Sequence, residues 1–138
     1  MNILVQQPIE REPGARIVSE TVTVALGTLS ANAIMAGGLI ATEIKRMILS
    51  AFATLQDTGT AAVTVIAVKA SPGVAPVTIG TCTLGGTGTD GTATAPKPFT
   101  FTDLSIAVGD SVTFQVSDAG ADAANLVVRM DVARDFAP

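Results

Sequence analysis

Apolar and polar residues alternate one by one through much of the last third of the chain. Phe99 and Phe101 alternate with Thr100 and Thr102; Val112, Phe114 and Val116 alternate with Ser111, Thr113, Gln115 and Ser117. Leu126, Val128, Met130 and Val132 then alternate with Val127, Arg129 and Asp131. A period of two with one apolar side marks a strand that buries one face only. Turn residues separate these runs: Val108-Gly109-Asp110, then Asp118 to Asp122. Gly109 tolerates a positive φ, and Asp110 is expected to bond the amides that follow it, setting a tight turn.

The same pattern runs upstream. Val18, Glu20, Val22, Val24 and Leu26 share one side of a strand over Ile17 to Leu26, and Gly27 ends it. Thr60 to Lys69 is apolar on both sides, with Val63, Val65 and Ala67 against Ala62, Ile66 and Val68. Such a strand is central in its sheet or meets another subunit. Ser71-Pro72-Gly73 makes a turn, and Val77 to Leu84 is a strand with an open, Thr-rich side. Gly85 to Thr94 is low in complexity and reads as an exposed, mobile loop. It lacks the Gly-Lys-Ser/Thr ending of a phosphate loop, and no helix is expected after it.

Leu39 to Leu55 satisfies two periods. Ile40, Ile44, Met47, Ile48, Ala51 and Leu55 would line a helix. As a strand, Ile44, Arg46, Ile48, Ser50 and Phe52 share one side, and Met47, Leu49, Ala51 and Leu55 the other. The turn Gln56-Asp57-Thr58-Gly59 leading into a clear strand favours a hairpin, and so a strand. A helix is the alternative. Ala31 to Gly38 fits no single period.

Met1 to Arg16 differs from the rest. Pro8, Pro13 and Gly14 interrupt any regular element, and the segment reads as an extended arm before a domain over 17–138. Stretched out, an arm of that length reaches about 50 Å. Ile3, Leu4 and Val5 are its apolar docking candidates, and Pro8 and Pro13 hold it extended.

Composition agrees with a β protein. Of 138 residues, 48% are hydrophobic but only 4% aromatic, so the apolar mass is aliphatic and suits pleated sheet. About eight strands with frequent turns describe an all-β, antiparallel two-sheet sandwich of jelly-roll type. An immunoglobulin-like sandwich is the near alternative, although its Cys–Trp–Cys pattern is missing. Charged residues are only 14%, low for an isolated surface, which predicts that some faces are covered in an assembly.

The chemistry-bearing residues are few. There is no histidine, and Cys82 is the one cysteine, so neither an internal disulfide nor a base beside a nucleophile is expected. No catalytic, metal or cofactor site is assigned. Asp57, Asp90, Asp103, Asp110, Asp118 and Asp122 fall in turns, where aspartate bonds nearby backbone. Asp118 and Asp122 are a weak calcium pair without ligand spacing. With a net charge of −4 and no basic cluster beyond Lys45-Arg46, nucleic-acid binding has no electrostatic footprint. The apolar zone Ala31 to Leu55 carries Glu43, Lys45 and Arg46, too polar for a membrane span. Sugar binding lacks Trp and Tyr platforms, and the five phenylalanines mostly fall on inward faces.

The run Leu104 to Val116, the turn after it and Leu126 to Val132 resemble the closing strands of jelly-roll modules in tailed-phage virion proteins. Ile44 to Leu49 and Val63 to Val68 look like the paired strands that such modules place before a variable loop. The resemblance covers roughly residues 40 to 133 as a pattern without a signature motif. The chain is short and lacks the coiled-coil stem or shaft repeat of long fibre proteins. The resemblance therefore implies a capsid decoration (cement) protein, made in the host cytoplasm and placed on the outer capsid surface. Its partner would be the major capsid protein, the chain would act as a homo-oligomer, a dimer or trimer, and no enzyme activity or cofactor is implied. A receptor- or glycan-binding module of a tail or head fibre is the alternative it implies.

Overall fold

The computed structural model describes residues 17–35, 38–40, 44–59, 61–85, 95–120 and 123–135. The strands are β1 (Ile17–Thr28), β2 (Leu39–Ile40), β3 (Arg46–Asp57), β4 (Ala62–Ser71) and β5 (Val74–Gly85). They continue with β6 (Lys97–Pro98), β7 (Thr100–Phe101), β8 (Ser105–Ile106), β9 (Ser111–Asp118) and β10 (Ala124–Asp135). No helix occurs among the described residues. Within Leu39 to Leu55, Leu39–Ile40 and the stretch from Arg46 onward are strand, as the hairpin context favoured, while Ile44 and Lys45 form a bend before β3.

All pairings are antiparallel and form two sheets. Sheet one runs β1-β10-β3-β6, with β8 also on β3, and sheet two runs β2-β9-β4-β5-β7. Taking β6 to β8 as one interrupted strand leaves eight, in the orders 1-8-3-6 and 2-7-4-5, which is a jelly roll. The interruption has a function in the fold. β6 and β8 pair with β3 in sheet one, while β7 between them crosses to β5 in sheet two. The segment thus closes one side of the sandwich by bonding to both sheets. Phe99, between β6 and β7, donates its amide to Ala51 O at 2.9 Å, and Thr102 donates to Ile79 O at 2.8 Å.

The core lies between the sheets and follows the alternation. Leu126, Val128, Met130 and Val132 of β10 and Val63, Val65 and Ala67 of β4 belong to it, all fully buried. Phe114 of β9 is the largest fully buried side chain. Phe99 meets it edge-on at 5.5 Å and stacks on Phe101 at 5.8 Å. Each such aliphatic side chain contributes about 1.5–3 kcal/mol of burial free energy. β4 is central in sheet two, one of the two placements its two-sided apolar pattern allowed. Its outer residue Ile66 is half-buried between its cross-strand neighbours Thr81 and Gln115. Its cross-strand neighbours therefore supply part of the cover of that face.

Two expectations change. The faces of β3 do not keep one parity, because the register with β10 shifts between Asp131 and Val132. Ser50 pairs Asp131 while Ile48 pairs Val132, leaving Leu49 as the extra residue of a bulge. Ile48 then joins Ala51, Ala53 and Leu55 in the core, while Met47, Leu49 and Phe52 face outward. The stretch from Ala31 to Gly38 also acquires a structure. Where described, it lines the free side of β9, with Asn32 N to Val116 O at 2.7 Å and Met35 N to Phe114 O at 2.9 Å.

Candidate functional site

The outer face of sheet one is where the structure leaves apolar side chains in solvent. The β3 bulge aims Met47 and Leu49 outward at 52% and 53% exposure. Phe52 of β3 and Val127 of β10 stand on the same face, at 38% and 37%. Cross-strand partners share a face, so the register Thr23–Arg129–Phe52–Pro98 makes one row, and Ala25–Val127–Thr54 the next. Two shallow depressions lie over these rows and share Thr54 and Val127. One, of about 420 Å³, is lined by Thr23, Phe52, Pro96 and Arg129 besides the shared pair. The other, of about 400 Å³, extends past Ala25 to Gln56 and Asn125. Polar side chains run through the face as well: Arg129, in the row of Phe52, sits 3.4 Å from Asp131, the row Thr21–Asp131–Ser50 separates Phe52 from Leu49 and Met47, and Asn125 Nδ2 donates to Asp57 Oδ2 at 3.0 Å. Exposed apolar side chains interleaved with polar ones suit a contact surface.

Charges close one end of the sandwich. Glu20 points to the core side of β1, opposite Val132, and its Oε2 lies 2.9 Å from Arg46 Nε and 3.1 Å from Arg134 Nε. Lys69 at the end of β4 pairs with Asp103 and donates to Ser105 O at 3.0 Å. Asp103 Oδ1 also accepts the Ser105 amide at 3.0 Å and the Ser105 hydroxyl at 2.9 Å. The Lys69 bond, with those from Ser105, holds the Asp103 carboxyl down to about 2. Both clusters link strands.

The turn aspartates mostly do what turns ask. Asp118 Oδ1 accepts the Gly120 amide at 3.0 Å. Asp110 is buried, but its Oδ2 accepts the amide of Ala107, three residues before it, at 3.0 Å. The bond therefore closes the turn backward rather than capping amides ahead, because the Asp110 amide itself returns to Ala107 O at 3.0 Å. Gly109 takes φ +96 in that turn. Asp122, the other half of the weak calcium pair, lies outside the described residues. No group of three His, Cys, Asp or Glu side chains gathers among the described residues. Cys82 is buried on β5, and burial pushes its thiol up to about 11 against the lowering effect of Lys97.

The docking residues expected on the arm, Ile3, Leu4, Val5, Pro8 and Pro13, lie outside the described residues, as do residues 86–94 of the Gly-rich loop. The outer face of sheet one was not foreseen as a site. The apolar outward residues of β3 were visible in sequence, but without the bulge they could not be sorted from the core set. Phe52, expected with Ile48 on one side, stands on the face opposite to it.

No protein-family model matches the chain, and no curated protein matches it significantly. Among solved structures it is similar to a crystal structure of murine APRIL at pH 5.0, with a TM-score of 0.41 and 11% identity. That likeness covers 80% of this chain and 98% of the other.

Proposed function

We propose that the chain is a structural binding protein that decorates the outside of a phage head and reinforces contacts between major capsid subunits. The observation that supports this is the outer face of sheet one, where Met47, Leu49, Phe52 and Val127 are exposed on an antiparallel sheet. Attachment would bury that face against the capsid, with no bond made or broken. β1 begins at Ile17 opposite Asp135, so the chain before it leaves from the end of the sandwich that the ion pairs close. In this reading residues 1–16 extend the contact to a neighbouring subunit.

The experiment combines location with attachment. Purified particles are labelled with antibody against the chain, and recombinant chain is co-sedimented with particles that lack it. Many copies on the head, and binding reduced at least tenfold by Phe52→Ser with Val127→Ser while melting stays near wild type, are the expected results. A few copies at a tail or fibre tip would replace the proposal with receptor or glycan binding. Unchanged attachment by the double variant would remove the outer face as the contact.

A further inference from the structure

A sandwich of two open sheets has four edges, and three of them are guarded among the described residues. The free side of β9 is lined by Asn32 to Met35 and by β2. The far side of β3 takes β6, β8 and the amide of Phe99, and donates the Ile48 amide to Leu104 O. The far side of β5 takes β7, and Pro76 interrupts the donors of its outer part. The fourth edge is β1. It is 12 residues long and pairs β10 from Ile17 to Thr28 with no register shift. Among the described residues nothing pairs its other side. It contains no proline and no lysine, and Ile17, Val18, Thr21, Val22, Thr23 and Val24 are all strand-forming. Its one charge, Glu20, is directed inward and held by Arg46 and Arg134. A long, regular, uncharged edge is a template for another strand.

We propose that β1 is a dimerisation edge that pairs antiparallel with β1 of a second copy about a two-fold axis. The occupant must itself bring an open row of N–H and C=O groups, and a second copy brings the same row at equal concentration. An isologous pair satisfies both edges at once and closes, since each copy uses its β1 edge in the one contact. Two β1 strands paired near their midpoints also keep the Glu20 carboxylates apart. The proposal goes beyond capsid attachment and stands without it, because it concerns the free chain.

The test uses the full chain in the absence of particles. Light scattering over a wide dilution series is expected to show a reversible monomer–dimer equilibrium. Thr23→Glu, whose cross-strand neighbour on β10 is Arg129, keeps the monomer intact and sets like charges near each other across the two-fold. It is expected to weaken association about tenfold with an unchanged melting temperature. Single cysteines at Ser19, Thr21, Thr23 and Ala25, all exposed on the outer side of β1, report the register on oxidation, and Thr81→Cys on sheet two is the control. Crosslinking that peaks at one or two neighbouring β1 positions supports the pairing. A chain that stays monomeric throughout overturns it. So does a dimer whose β1 cysteines crosslink no faster than Thr81→Cys. A dimer that is lost on removing residues 1–16 and gives no β1 crosslink assigns the contact to that segment and overturns it as well.

Discussion

Gly80→Ala should destabilise this protein, although the same change in an open strand does the reverse. Gly80 of β5 pairs Phe101 of β7. A Cβ built on Gly80 would lie 2.6 Å and 2.7 Å from two carbons of the Phe101 ring, and 3.3 Å from Cγ. The ring has little room to retreat, because its other neighbour is Phe99, stacked at 5.8 Å, and Phe99 in turn packs edge-on against buried Phe114. The absent side chain is therefore the seat of the ring that fastens the closing segment to sheet two. Overpacking of this kind costs about 1–3 kcal/mol. Replacing glycine gains back about 0.4–1 kcal/mol through the unfolded chain. The net is a loss of about 1–2 kcal/mol. For a chain of this length, with an unfolding entropy near 0.3 kcal/mol/K, that lowers Tm by roughly 3–7 °C. Calorimetry on Gly80→Ala, Phe101→Ala and the double variant reads the coupling directly. With Phe101 already truncated, Gly80→Ala should become neutral or stabilising, for a coupling of about 1 kcal/mol or more. A raised Tm in the single variant, or two additive losses, would refute the ring-seat argument.

Other outcomes follow from the same geometry. The Asp103 carboxyl falls from 3.8 to about 2 in the fold, so its pairing with Lys69 stabilises above the unfolded value and is lost as pH drops through the folded one. In acid titrations followed by circular dichroism, the gap between wild type and Asp103→Asn should be full above pH 3.8 and close towards about 2. Asp110→Ala strands the amide of Ala107 beside a buried site and should cost about 1–3 kcal/mol in urea unfolding, with Asp110→Asn milder because it keeps an acceptor. Gly120→Ala should also destabilise, since its φ is +63 and a Cβ there would stand 2.6 Å from Ala61 O; a thermal melt measures it.

The sequence displayed those parts of the fold where one parity is apolar and the other is not. β9 and β10 alternate without ambiguity, so their faces were legible residue by residue. Pro72-Gly73 also marked a turn in advance, with Gly73 at φ +74. β3 was harder for a physical reason. Ile48, Leu49, Ala51 and Phe52 occupy both parities, so any register buries some of them, and only pairing with β10 selects Leu49 as the bulge. The candidate face depends on that bulge, which is why it escaped notice. The stretch over 31–38 gave no period because it is mostly small residues, and its backbone bonds to β9 do not depend on side-chain pattern. Asp110 was identified as a turn residue, but the direction of its bond was not, since aspartate serves amides on either side.

The bare edge and the apolar face both belong to sheet one, and this has a geometric consequence. Antiparallel pairing of β1 with its copy requires a two-fold axis perpendicular to the joined sheet. That operation reverses the strands but leaves their faces on the same side. Met47, Leu49, Phe52 and Val127 of one copy would then lie on one surface with those of its partner, while the Thr-rich outer side of sheet two faces away. Such a dimer offers two contact strips at a fixed spacing, so the second strip binds at a high effective concentration once the first is seated. If both proposals hold, wild-type chain diluted to monomer should attach to particles more weakly than dimers covalently joined through β1 by a cysteine at Ser19, which lines neither depression. Equal attachment by monomer and dimer would mean that the face acts singly and that edge pairing serves another purpose.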